Sequence, residues 1–96
     1  MTFAIRYSPD AVRHLKRLSA RQRAEVLDQI GLRLSHEPQS PSRNRKRLLP
    51  NALATWSLRL GELRVYYDVE AETVTVLAIG EKIRNQVWID GRAVEL

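Results

Sequence analysis

Cysteine is absent from the 96-residue sequence, which excludes disulfides and thiolate metal sites. Histidine is scarce: His14 and His36 stand far apart without ligand spacing, and both read as helix-surface residues rather than metal ligands. No apolar run approaches the length of a membrane span, and no charged-then-apolar leader opens the chain. A soluble, cytoplasmic protein without a membrane partner is therefore expected. Repeats and low-complexity tracts are also missing. Acidic residues are in the minority, 11 against 16 basic ones, and the net charge is +5. That balance favours polyanions or acidic protein partners. Only three of the 16 basic residues are lysine. The rest are arginine, whose planar fork suits bidentate contact with phosphate or carboxylate. The length predicts one domain over residues 1–96, with a single modest core.

Phe3-Ala4-Ile5-Arg6-Tyr7 alternates as a short strand. Ser8-Pro9-Asp10 then reads as a helix start, with a capping hydroxyl, proline at the first helical position and a carboxylate at the positive end. Ala11, Leu15 and Leu18 form the apolar stripe. Ser19, with Gln22 three residues on, is a capping-box pattern. Leu27, Ile30, Gly31 and Leu34 follow at helical spacing beside Val26, ending before Pro38. Almost no loop separates the helices, so an antiparallel helical hairpin is expected. Residues 37–46 are polar, hold two prolines and read as a loop. That loop runs into Arg43-Asn44-Arg45-Lys46-Arg47, which reads either as a solvated charge run or as a nonspecific phosphate contact.

The most informative segment is Trp56-Ser57-Leu58-Arg59-Leu60, Gly61-Glu62, Leu63-Arg64-Val65-Tyr66-Tyr67-Asp68-Val69. Apolar and polar residues alternate on both sides of a Gly-X pair, the signature of a two-residue hairpin. That register sets Leu60 opposite Leu63 and Arg59 opposite Arg64, on the face not used by Leu58, Leu60, Leu63 and Val65. Like charges directly opposite are destabilising. Either an anion sits between them or they snorkel over a solvated face. Trp56 and Tyr67 point to the core, while Tyr66 points with the arginines beside Ser57 and Asp68. After a turn at Glu70-Ala71-Glu72, Thr73–Ile79 reads as a central strand that Gly80 breaks. Val87-Trp88-Ile89, Asp90-Gly91, Arg92-Ala93-Val94 reads as a closing hairpin, with Ala93 the cross-strand partner of Trp88. The expected fold is α+β: a helical hairpin packed on one face of a small, mainly antiparallel β-sheet, with a C-terminal β-hairpin. The first strand pairs at an edge or in parallel with a later strand.

This arrangement resembles the RelE/ParE superfamily of toxins from type II toxin–antitoxin pairs. The marks are Ile5-Arg6-Tyr7-Ser8-Pro9-Asp10-Ala11, Leu48-Leu49, the hairpin from Leu58 to Val69, and Val76-Leu77-Ala78-Ile79-Gly80 followed by a basic cluster. The resemblance implies a toxin that cuts mRNA on the ribosome without metal or cofactor, through attack of a ribose 2′-hydroxyl on the adjacent phosphate. It implies Arg64, Lys82 and Arg84 as catalytic residues and Arg59 as a substrate-binding residue, to which Tyr66, by its strand face, and Trp88, as a base-stacking indole, are added as substrate-binding candidates. Arg64 and Lys82 would stabilise the charge developing on the phosphate. It further implies a cognate antitoxin as partner, and operator DNA bound only together with that antitoxin. Two alternatives remain within the same resemblance: a ParE-like inhibitor of DNA gyrase, and a non-catalytic module that binds nucleic acid or antitoxin.

The chain departs from the RelE pattern at two positions. Trp88 stands where that branch has tyrosine, and an indole stacks on bases but exchanges no proton. Lys82 stands in place of arginine, a point charge instead of a fork. Glu81 is the nearest carboxylate to serve as a base. Trp88 also reads as a cover for the sheet edge, and Lys82 with Arg84 as a solvated turn.

Overall fold

The computed structural model describes residues 2–94, in which two helices cover one face of an open sheet. The elements are β1 (Ala4–Tyr7), α1 (Pro9–Arg17), α2 (Ala20–Leu34), β2 (Arg45–Arg47), β3 (Trp56–Leu60), β4 (Leu63–Glu70), β5 (Thr73–Ile83), β6 (Gln86–Ile89) and β7 (Arg92–Val94). Both helix starts follow from their caps. Ser8 Oγ accepts from the Ala11 amide at 3.1 Å, with Pro9 in the first turn. Ser19 and Gln22 close a reciprocal capping box. Such caps stabilise a helix by about 1 kcal/mol each. Arg23 of α2 donates to the Leu15 and Leu18 carbonyls at 3.0 and 3.1 Å. It thereby satisfies the end of α1 and holds the helical hairpin shut.

Val26, Ile30 and Leu34 of α2 join Ala11 and Leu15 of α1 over Trp56, Leu58, Val65, Tyr67, Val74 and Val76 of the sheet. Leu27 was expected in that stripe but is 39% exposed. At about 100° per residue it lies off the line that the i, i+4 series from Val26 draws along the helix. His14 corrects the surface assignment more sharply, for it is buried. Its Nδ1 accepts the Ile79 amide proton at 3.1 Å, so the ring proton lies on Nε2. That atom, without a well-aligned hydrogen bond, sits 3.0 Å from Asp90 Oδ2. Asp90 also pairs with Arg13 and Arg17, tying the last hairpin to α1.

Strand order is β2-β3-β4-β5-β6-β7, every neighbour antiparallel, while β1 pairs in parallel with β5. β1 occupies Thr73–Val76 and β6 occupies Glu81–Ile83, so β5 serves two short partners in succession. Between them α1 supplies the missing bonds: the Ser8 amide and hydroxyl donate to the Val76 and Leu77 carbonyls, and His14 accepts from Ile79. Backbone groups in that gap are thereby satisfied.

One residue of β5 is surplus. Tyr66 pairs with Ala78 and Tyr67 with Val76, leaving Leu77 as a bulge. Upstream, Val74 and Val76 face the helices. Downstream the alternation is inverted, so Ile79 faces the helices while Ala78 joins Tyr66 on the other side. Gly80 does not break the strand, which continues to Ile83. Its role is close approach: a Cβ there would lie 2.8 Å from Val87 Cγ1 and 2.9 Å from Ile89 Cγ1.

The second face is only partly open. Ala54, Tyr66 and Ala78 are buried there beneath Leu48, Leu53, Leu77, Val87 and Ile89. The segment over them is pinned by Asn51, whose Oδ1 accepts from the Leu53 and Ala54 amides, and by Asp68, which accepts the Thr55 amide at 2.6 Å. The basic run is likewise more than a loop, since Arg45–Arg47 forms β2 against β3. Arg45 turns inward to the Arg33 and Ser40 carbonyls, and Arg47 lies over Trp56 at 5.9 Å from the ring centroid.

Candidate functional site

The β3–β4 hairpin has the register its alternation predicts: Arg59 opposite Arg64 and Leu60 opposite Leu63. Gly61 takes φ 60°, which the first residue of this two-residue turn requires and which glycine adopts without a Cβ clash. The Lys82 amide donates to the Glu62 carbonyl at 2.7 Å, docking the end of β5 on that turn. The bulge at Leu77 decides which side chains arrive there. Arg64 pairs with Gly80 and Lys82 with Val87, so Lys82 emerges on the arginine face.

Arg59, Arg64, Lys82 and Arg84 consequently line one groove of about 910 Å³, which Arg33 of α2 and Arg43 also line. Among the described residues none of these six cations lies within ion-pair distance of a carboxylate. Arg64 Nη1 donates to the Gly61 and Leu63 carbonyls at 2.7 and 3.0 Å, which steadies the guanidinium without neutralising it. Arg59 Nη2 makes one long contact to Asn44 Oδ1 at 3.4 Å. Arg84 stands at φ 59°, a left-handed conformation that a long side chain adopts only under strain. Clustered like charge that is not ion-paired is unfavourable on its own, and an oxyanion with several acceptor oxygens relieves it.

Tyr66 and Trp88 do not join this groove. Tyr66 shares the arginine face but is 3% exposed. Burial pushes its phenol up, with the Arg64 charge pulling weakly the other way, so it keeps its proton. Trp88 pairs with Glu81 and Ala93, as its hairpin predicts. Those side chains belong to the helix side, and Trp88 lines a separate hollow with His14, Ile83 and Asp90. Glu81 goes with it, which leaves Glu62 as the carboxylate bordering the groove. Arg33 escaped the sequence reading. Its signal was the Gln29–Arg33 pair at i, i+4 beside the apolar stripe, a spacing that puts both on one flank of α2.

A family model described as the ParE toxin of the type II toxin–antitoxin system parDE matches residues 5–85. Among solved structures, the chain is similar to one in the RelBE2 toxin–antitoxin complex from Mycobacterium tuberculosis. Identity there is 28% and the TM-score 0.74, over 85% of this chain and 93% of that one. It also matches the archaeal RelE–RelB complex from Pyrococcus horikoshii OT3, with 22% identity and a TM-score of 0.69, over 88% of this chain and 99% of that one. The second likeness speaks for the fold alone. No curated protein matches significantly.

Proposed function

We propose that this chain, which belongs to the ParE toxin family of type II toxin–antitoxin systems within the RelE/ParE superfamily, stops growth in the cytoplasm by cutting mRNA on the ribosome. The observation that carries this reading is the convergence of Arg59, Arg64, Lys82 and Arg84 on one groove, where among the described residues none of them is ion-paired and Glu62 is the bordering carboxylate. A ribose-phosphate strand lying there has its reacting phosphate between Arg64 and Lys82, with Arg59 and Arg84 on flanking phosphates. The 2′-oxygen bonds to phosphorus as the bond from phosphorus to the 5′-oxygen breaks. Arg64 and Lys82 stabilise the negative charge that builds on the phosphate oxygens. Lys82 carries the proton that the departing 5′-oxygen needs, and the 2′-hydroxyl proton passes to solvent. No group in the groove acts as an efficient base. General acid–base help is typically worth about 10²–10⁴-fold, so the enzyme is slow.

The partners proposed with this activity are the ribosome, its mRNA and a cognate antitoxin. The antitoxin lays an acidic segment over Arg59 and Arg64, and binds operator DNA jointly with the toxin. The experiment is induction in a translating extract, with mRNA ends mapped by primer extension. Ribosome-dependent cuts that vanish in Arg64→Ala and Lys82→Ala support the reading. One rival is the ParE-like alternative that the sequence resemblance implies, inhibition of DNA gyrase, and the matching family model is that of a ParE toxin. Intact translation together with blocked supercoiling by purified gyrase would establish that rival instead.

A further inference from the structure

Only one wall of the cationic groove enters the chemistry above. That wall is the sheet, with Arg59, Arg64, Lys82 and Arg84. The same groove is also lined by Arg33 in the last turn of α2 and Arg43 ahead of β2. The geometry points to Arg33 and Arg43 as a second phosphate grip, holding the RNA strand beyond the reacting phosphate. This rests on the reading of the groove as an RNA site.

Arg33 is braced for such a task. Its Nε donates to Gln29 Oε1 at 2.8 Å, one turn earlier on the same helix, and among the described residues its Nη groups have no acceptor. The helix end that carries it is pinned as well. Arg45 Nη1 donates to the Arg33 carbonyl at 3.2 Å and Arg45 Nε to the Ser40 carbonyl at 2.9 Å. Arg45 belongs to β2, which pairs with β3, the strand bearing Arg59. One part-buried guanidinium therefore ties the Arg33 end of α2 to the strand pair that bears Arg59. The backbone next to Arg43 is anchored: the Asn44 carbonyl accepts the Arg59 amide at 2.8 Å, and Asn44 Oδ1 meets the Arg59 guanidinium. Cations kept at fixed spacing across a groove lose little freedom on binding, which is the advantage of preorganisation. The basic run is thus divided by its strand geometry. Arg43 faces the groove while Arg45 builds the wall.

The test is binding of a fluorescent single-stranded RNA oligonucleotide, measured by anisotropy over a range of salt. Single strands show a salt slope of about 0.7 per phosphate neutralised. Six contacts make affinity fall about 300-fold between 50 and 200 mM salt, and four make it fall about 50-fold. Wild type is expected to show the steeper loss, and the Arg33→Ala, Arg43→Ala double variant the shallower one with an unchanged melting temperature. Arg33→Lys is expected to recover part of the slope. If Arg64→Ala weakens RNA binding and the double variant does not, the second grip is refuted while the groove reading stands. If neither changes binding, both fail. Loss of a poly-aspartate peptide with RNA binding intact assigns the wall to an acidic protein partner and overturns the proposal.

Discussion

Arg84→Gly is expected to make the protein more stable and less active. Arg84 is the first residue of the two-residue turn between β5 and β6, at φ 59°. A left-handed conformation costs an L-residue about 1–2 kcal/mol. Glycine escapes that cost but gives the unfolded chain more freedom, a loss of about 0.5–1 kcal/mol. Among the described residues the Arg84 side chain makes no hydrogen bond or ion pair that the change would remove. The net gain is about 0.5–1 kcal/mol. Since about 1 kcal/mol moves the Tm of a domain this size by 4–8 °C, calorimetry should register a rise of a few degrees. The same change removes one groove cation. A hydrogen bond to a charged group is worth about 1.5–3 kcal/mol, so cleavage in a translating extract should fall about ten- to a hundredfold. Arg84→Lys keeps both the charge and the strain, and should cleave without the gain in Tm. A lower Tm for the glycine variant would mean that the side chain is braced rather than strained. Undiminished cleavage would remove Arg84 from the site.

Three further outcomes are expected. Gly80→Ala drives a Cβ to 2.8 Å from Val87 Cγ1 and 3.2 Å from the Trp88 carbonyl, destabilising by about 1–3 kcal/mol in denaturant titration, with partial rescue by Val87→Ala. Trp88→Ala should leave RNA affinity and cleavage unaltered, because its hollow is separate from the groove; a tenfold loss of cleavage would contradict the placement. The hydrogen bond from Arg13, and then the close contact with His14, lower the Asp90 carboxyl from 3.8 to about 2. A depressed acid stabilises the fold above its unfolded pKa, so this contribution is complete above about pH 4 and disappears as pH falls toward 2. Asp90→Asn should flatten the acid limb of the stability curve over that window. Loss of order in the last hairpin can be followed through the Trp88 indole resonance.

Wherever alternation is regular, the fold was legible. The Arg59–Arg64 register, the Trp88–Ala93 pair and both helix caps follow from local rules that tertiary packing reinforces. Legibility fails where one side chain answers to a distant partner. His14 looks like a surface residue because the Ile79 amide that it caps is 65 positions away. Gly80 looks like a strand breaker because the β6 side chains that forbid a Cβ cannot be seen from its neighbours. Four of the six expected site residues share a groove because they flank one hairpin and its docked strand. Tyr66 and Trp88 were lost for different reasons: packing buries the first, and strand parity sends the second to the opposite side.

That parity makes Leu77 more consequential than its aliphatic side chain suggests. It carries no charge and borders no substrate, yet it acts as a phase shifter for everything after it in β5. Pairing Leu77 regularly, without the bulge, would turn every later side chain over and send the Lys82 ammonium toward the helices, whereas deleting Leu77 would keep the Tyr67–Val76 and Tyr66–Ala78 pairs and leave Lys82 on the arginine face. Where the toxin carries its charge is therefore set by a pairing irregularity as much as by which residues are encoded.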